Sequence, residues 1–320
     1  MTHPLDRRTL LAGLGAAGLA AAVPAGAARR TPLFKRIGKP LGIQLYALGE
    51  APRKDLAGTL RRLAAMGYRD IELPGFYDRT PQALRAEAEA AGVRYGSIHL
   101  GLPPRVAPGA LSLMSSPQQL ADALGALGVT KAVLPMPLLP ETFAAPASGD
   151  PRDALASAVD AGGLDMWKRL AALLNDRAAA LKPFGIALGY HNHNMEFRPQ
   201  GGTTGWATLL GELDPALVFI ELDLGWAAAG GIDPAAELRR LKGRVRMVHL
   251  KDIKATTTTN YALRQDPAEV GQGKLDWRAI LPACAAAGVE HYYVEQEPPY
   301  TRDRFASMQI SADFLSRFTG

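Results

Sequence analysis

The sequence predicts a single (β/α)8 TIM barrel over residues 31–320, preceded by an N-terminal export signal. Three observations carry this expectation. Short β-rich runs alternate with longer helical patterns, as parallel βα units require. Helical patterns end repeatedly in glycine just before the next β run, at Met66-Gly67, Ala91-Gly92, Leu127-Gly128, Phe184-Gly185 and Ala287-Gly288. Glycine there supplies the left-handed residue that stops a helix. Eight such units close naturally into a barrel, and 320 residues fit one.

The β runs fall at 42–46, 69–73, 95–99, 131–134, 186–191, 218–223, 246–251 and 292–295. Helical patterns fall at 54–66, 81–91, 117–127, 165–182, 204–213, 234–241 and 277–287, with a last one near 301–318. An open doubly wound sheet is the alternative. It would want a glycine-rich phosphate loop after the first strand, and Gly49-Glu-Ala-Pro-Arg53 is not one.

The front of the chain reads differently. Arg7-Arg8 is a charged start, and Leu10 to Val23 is an apolar run too short and too rich in Gly and Ala for a comfortable membrane span. Ala25-Gly-Ala27 fits a small-residue cleavage site. The twin arginine followed by Thr-Leu-Leu resembles a twin-arginine export signal. Residues 1–30 are therefore set apart from the fold, and the mature protein is expected in the periplasm, with no stable membrane span. Phosphorylated metabolites, mostly cytosolic, become poorer candidates as substrates.

The net charge is +5, but the basic residues are scattered apart from Arg29, Arg30, Lys35, Arg36 and Lys39. A nucleic-acid binder would gather them into a stripe with aromatics interleaved. The partner expected is a small-molecule carbohydrate and not a nucleic acid; nothing in the sequence marks an oligomer interface. The single cysteine, Cys284, sits in an apolar helical run and reads as a small buried hydrophobe.

In a barrel of this kind the C-terminal ends of the strands face the active site. The fifth strand ends Tyr190-His191-Asn192-His193, the sixth Glu221-Leu-Asp223, the seventh His249-Leu-Lys251-Asp252 and the eighth Glu295-Gln-Glu297. The second offers Glu72 and the third His99. Four of the five histidines after residue 30 thus stand at strand ends, where random placement would scatter them. Residues i and i+2 share a face of a strand. A site of His191, Asp223, His249 and Glu295 would hold one divalent ion, and that donor mix suits Mn, Co, Zn or Fe. His193, Glu221 and Lys251 would orient the ligands or meet substrate.

These motifs resemble the xylose-isomerase-like barrel family, the sugar phosphate isomerase/epimerases. The resemblance rests on Gly42-Ile-Gln-Leu-Tyr46, Tyr190-His-Asn-His-Asn-Met-Glu-Phe197, Asp223-Leu-Gly-Trp226, His249-Leu-Lys-Asp252, Gly271-Gln-Gly273 with Asp276-Trp277, and Val294-Glu-Gln296. It implies that Asp223, His249 and Glu295 are metal ligands from the sixth, seventh and eighth strands. In ketose epimerases the fifth strand supplies a glutamate that doubles as a base; here His191 stands in that place, which puts a two-carboxylate proton shuttle in doubt.

A divalent ion on a carbonyl and its neighbouring hydroxyl acts as a Lewis acid and acidifies the adjacent C–H. Glu295 is the first choice of base, with Lys251, His193 or Glu196 as partner acid. The expected function is a metal-dependent isomerase or epimerase working through an enediolate on a non-phosphorylated sugar. A lyase or dehydratase acting on a 3-keto-glycoside or cyclic polyol ketone is the alternative, and a non-catalytic exported sugar-binding protein is the alternative of another class. An endonuclease would need more metal ligands than the sequence offers. Glu72, His99, Trp226 and Glu297 are expected to contact substrate, Glu72 and His99 from the opposite side of the barrel. Trp277 offers a second stacking surface, Asp252 a brace for Lys251, and His291 a structural role at the far end.

Overall fold

The computed structural model describes residues 30–320 apart from 104–105, 108, 141–142 and 144–147. The twin-arginine segment and its cleavage site lie outside the described residues. Eight parallel strands form a closed barrel in sequence order: β1 Gly42–Gln44, β2 Asp70–Leu73, β3 Arg94–His99, β4 Lys131–Leu134, β5 Ala187–His191, β6 Val218–Asp223, β7 Val245–Leu250 and β8 His291–Val294. Closure is made by β1, whose Gly42 lies opposite both Asp70 of β2 and Tyr293 of β8. No helix among the described residues is long and apolar enough to cross a membrane.

The expected punctuation is present. Gly92, Gly128, Gly185 and Gly288 end their helices in the left-handed conformation. Helix starts are capped by side chains: Thr80 before Pro81–Ala91, Ser116 before Pro117–Leu127 and Asp276 before Trp277–Ala287. Ser116 and Gln119 form a reciprocal capping box. Each cap stabilises its helix by about 1 kcal/mol and fixes where the chain turns back toward the barrel. Cys284 is buried on the inner face of Trp277–Ala287.

One helix is longer than expected. Pro151–Leu181 begins well before residue 165 and bends at Gly163, whose φ of 60° and ψ of −170° are not helical. Asp150 caps it and proline occupies its first turn, a start signal present in the sequence but hidden by the glycine pair that follows. The early arm brings Arg152 and Leu155 to the mouth of the barrel.

Beside an apolar layer of Val133, Phe219 and Met247, the barrel interior carries a chain of polar side chains. Asp70 Oδ2 meets His291 Nδ1 at 2.6 Å, His291 Nδ1 lies 3.1 Å from the Tyr293 hydroxyl, and that hydroxyl lies 3.0 Å from Ser97 Oγ. Ser97 Oγ then donates to Glu72 Oε1 at 2.6 Å. Gly96 makes this possible, because a Cβ there would collide with Asp70, Tyr293 and His291 together. His291 is thus structural and at the N-terminal end, as expected.

Candidate active site

The strand ends deliver a buried cluster of imidazoles and carboxylates. Glu72, Glu221, Asp223, His249 and Lys251 have no solvent exposure, and His191 is nearly as buried. Glu221 Oε2 sits among three rings: 2.9 Å from His99 Nε2, 3.1 Å from His191 Nδ1 and 3.4 Å from His249 Nε2. His249 also bridges two carboxylates, with Nε2 2.6 Å from Glu72 Oε2 and Nδ1 2.7 Å from Glu295 Oε2. Asp223 caps the helix Leu224–Ala229 through Oδ1, accepting from Trp226 N at 2.7 Å. Its Oδ2 is left for Lys251 Nζ at 2.9 Å and His249 Nδ1 at 3.7 Å.

Lys251 is the cation of this assembly. Its ammonium also reaches Glu295 Oε2 and Glu297 Oε1, each at 3.0 Å, and lies 4.9 Å from the Trp226 ring centroid. Gly225 leaves room for its stem: a Cβ there would stand 2.7 Å from Lys251 Cγ.

The four anticipated ligands are brought to one end of the barrel, but in two groups that share His249. Asp223, His249 and Glu295 form one; His191 joins His99, Glu221 and His249 in the other. In each group the donor atoms lie within 4.8 Å of one another. Both sets fit a divalent cation by their chemistry, nitrogen and carboxylate oxygen from a rigid scaffold. Glu221 Oε1 is buried without a partner, which leaves a donor atom to spare in the second set.

Burial by itself would push the carboxyls up and the imidazoles down. Burial raises Glu72, but His99 and His249 overcome it and hold that carboxyl well below the usual range. Burial and Glu72 both raise Glu221, yet the neighbouring imidazoles bring it down to about 2. Against the same desolvation, Glu72 and Glu221 lift His99 to about 9, and Glu221, Glu295 and Glu72 raise His249 well above its ordinary value. Burial and His249 push His191 well down, and burial with Lys251 lowers His193 to about 3. Desolvation opposes charge on both Lys251 and Glu295, but their attraction and that of their neighbours keep the lysine protonated and the glutamate ionised. Burial and the charge of Glu295 raise Glu297, against the pull of Lys251.

Above the cluster lies a cavity of about 460 Å³, lined by Gln44, His99, His191, His193, Trp226, Gln265, Glu295 and Glu297 among others. A neighbouring cavity of about 740 Å³ shares Tyr46, Pro74, His99, Pro135 and Met136 with it. His99, Trp226, Glu297, His193 and Glu295 thus face the space a substrate would occupy. Glu72 does not line it. Glu72 and His99 come from β2 and β3, across the barrel from β6 and β7 as expected, yet both touch the His249–Glu221 cluster directly, because a barrel this narrow brings all its strand ends together. Glu196 is turned away, accepting from the Tyr190 hydroxyl at 2.7 Å and from His193 N at 3.0 Å, and is buried.

Two further expectations are corrected. Asp252 does not brace Lys251; its carboxylate accepts from Ile253 N, Gly271 N, Gly273 N, Leu275 N and Trp277 Nε1. Trp277 is held in that hub and lines neither cavity above the cluster. Gln44, whose Nε2 donates to Glu72 Oε2 at 2.9 Å, was not singled out as a site residue. Its signal was its position at the C-terminal end of β1. Gln265 comes from a loop and had no periodic signal.

The fold and the cluster define a class: a (β/α)8 barrel with a metal-fitting acid–histidine centre at the C-terminal ends of its strands. The family model for the xylose isomerase-like TIM barrel matches residues 60–318, and the chain belongs to that family. It is 26% identical over 201 residues to an inosose dehydratase of Geobacillus kaustophilus, covering 61% of each chain. It is 36% identical over 150 residues to an inosose dehydratase of Clostridium perfringens, covering 41% of this chain and 48% of that one. The chain thus spans less than two thirds of the length of these relatives. Among solved structures, a sugar phosphate isomerase/epimerase from Parabacteroides distasonis superposes with a TM-score of 0.65 at 24% identity, over 93% of this chain and 97% of that one. An L-ribulose 3-epimerase superposes with a TM-score of 0.58 at 18% identity, over 87% and 93%. These structural likenesses concern the fold.

Proposed function

We propose that this chain is a divalent-metal-dependent enzyme that removes the proton beside the carbonyl of a non-phosphorylated keto-sugar or cyclic polyol ketone, then expels a leaving group from the next carbon. Water is the simplest leaving group. The observation that carries this reading is a pair of carboxyls lining one cavity, joined through one lysine, whose pKa values are driven apart. Glu295 is held ionised, Glu297 is pushed toward its neutral form, and both accept from the same lysine. Neighbouring titratable groups whose pKa values are driven apart are the usual mark of a base and an acid.

His99, His191, Glu221 and His249 would hold the ion, with Asp223 adjoining, and Glu295 then stays free as base. When bound, the ion supplies Lewis acidity toward the carbonyl oxygen. Glu295 takes the carbon-bound proton, and the electron pair left behind expels the hydroxyl one carbon further on. Glu297 gives that hydroxyl its proton, so it leaves as water. Lys251 touches both carboxylates and offers the path by which the proton on Glu295 returns to Glu297.

Both groups are joined through one lysine, so proton and hydroxyl leave from the same face. Epimerisation at one carbon needs bases on opposite faces. On β5, His191 stands in place of a second carboxylate. Isomerisation is a second reading, favoured by the same pair, since a proton moved between adjacent carbons also stays on one face. The names of the dehydratase relatives support elimination. Each of the three described arginines lining the two cavities is already paired, Arg152 with Asp150, Arg53 with Asp78 and Arg79 with Glu87. That supports a neutral polyhydroxy substrate over a phosphorylated one. An exported, periplasmic location is part of the same proposal and rests on residues 6–27.

The test starts with bound metal, measured by elemental mass spectrometry on the protein from residue 31 onward and on a His249→Ala, Asp223→Ala double variant. About one equivalent in the first, lost in the second, is expected. Cyclic polyol ketones and keto-sugars are then incubated in deuterated water. A product lighter by one water supports elimination; deuterium in a rearranged sugar supports isomerisation. No metal after reconstitution and no exchange with any ketone would overturn the enzyme reading in favour of a sugar-binding protein.

A further inference from the structure

The segment 254–266 leaves the barrel through the antiparallel bridge of Asp252–Ile253 with Pro267–Ala268 and is tied down over the cavity. Asn194, just beyond β5, donates from Nδ2 to Asn260 O at 2.9 Å and to Asn260 Oδ1 at 2.8 Å, and its Oδ1 accepts from Leu263 N at 3.0 Å. Arg264 pairs with Asp150 at 3.2 Å and Asp153 at 2.7 Å on the arm of the long helix. Leu263 is held at φ 55°, a left-handed conformation a leucine rarely adopts. Strain of this kind persists where the surroundings over-determine it and is concentrated at ligand clamps.

What the strap delivers is Gln265. Gln265 lines the cavity, and its side-chain Nε2 and Oε1 are both buried and without a hydrogen-bond partner. Trp226 Nε1 and His193 Nδ1, on residues lining the same cavity, are also buried and unpartnered. Buried polar groups are nearly always satisfied, so several orphans around one cavity ask for a ligand that completes them.

We propose that Gln265, Trp226 and His193 form a hydroxyl-reading wall that selects a cyclic polyol carrying two neighbouring free hydroxyls away from the reacting carbonyl. This rests on the reading of the cavity as a site for a neutral polyhydroxy substrate. Gln265 Nε2 donates to one hydroxyl oxygen and Oε1 accepts from the next hydroxyl, a pairing that a primary amide offers in one plane. The indole N–H adds a donor, and His193 Nδ1 adds a further unpartnered ring nitrogen. A site built this way rejects an analogue that lacks the hydroxyl, because its own buried groups are then left unpaired.

The probes are myo-inositol and a panel of its monodeoxy derivatives, titrated calorimetrically into the metal-loaded wild-type protein, Gln265→Leu and Gln265→Asn. In the wild type, at least one monodeoxy compound should bind about 10-fold more weakly than myo-inositol. In Gln265→Leu the parent should weaken by a similar factor and the discrimination disappear, with metal content and melting temperature unchanged. Gln265→Asn, which keeps the amide on a shorter stem, should retain part of it. The wall is overturned if Gln265→Leu binds and discriminates as the wild type does, or if the metal-loaded wild type binds none of the panel. Neither result touches the metal content or deuterium exchange on which the enzyme reading stands.

Discussion

Glu196 shows what burial does to a single carboxyl. The Tyr190 hydroxyl and His193 N donate to its Oε1, its Oε2 has no partner, and burial lifts its pKa to about 7 from an ordinary 4.5. Between those values the folded protein keeps a proton that the unfolded chain has released. Stability is therefore greatest below pH 4.5 on this account and is lost as pH rises through 7. The full penalty is about 3 kcal/mol at the ordinary worth of a pKa unit. Glu196→Gln should remove it. Thermal melts of wild type and variant at pH 5.5 and 8 should show the wild type losing several degrees relative to the variant at the higher pH; parallel melting curves would refute the assignment. Lys251 is the opposite case. A fully buried ammonium is tolerated because three acidic side chains, Asp223, Glu295 and Glu297, surround it.

At the level of elements, Asp252 does the work that the chain after β7 needs. One carboxylate gathers four backbone amides and an indole N–H, so the segment 271–277 folds back against the barrel and Trp277 starts its helix in place. Hydrogen bonds to a charged group contribute about 1.5–3 kcal/mol each, and they are not additive here because one group makes them all. Asp252→Ala should cost about 3–5 kcal/mol in denaturant unfolding. Amide protons of Gly271 and Gly273 should exchange far faster in the variant. Unchanged protection at those two glycines would show that the loop is held by its other contacts.

For the whole molecule, a hydrogen-bonded column of Asp70, His291, Tyr293, Ser97 and Glu72 runs through one side of the barrel interior, beside the apolar cluster of Val133, Phe219 and Met247. The column joins strands β2, β3 and β8, which close the barrel beside β1, and it ends on a carboxylate that fixes His249. Tyr293→Phe removes one hydroxyl from the middle and leaves Ser97 and His291 short of a partner. A loss of about 1–2 kcal/mol in equilibrium unfolding is expected. A variant as stable as wild type would mean that the column adds nothing to closure.

Much of the barrel was readable in advance because its signals are local. A glycine that must turn left-handed, a serine or aspartate that caps a helix, and a β-rich run between them act within a few residues. The strand spans accordingly agree within a residue or two, while the early arm of the long helix was lost behind the Gly162–Gly163 break. The histidines and acids at strand ends were legible too, because a parallel barrel sends every strand's C-terminal end to the same face. The partnerships among them were not. That Glu221 sits among three imidazoles, that Asp252 serves a loop instead of Lys251, and that Gln265 reaches the cavity from a strap depend on contacts between residues far apart in sequence. By itself the sequence determined the barrel, its order of elements and the residues that would meet at its mouth, since these follow from periodicity and short-range chemistry. Only the tertiary structure decided which nitrogen faces which oxygen and which carboxyl keeps its proton, because distance and burial set those, and both arise only when the strands close.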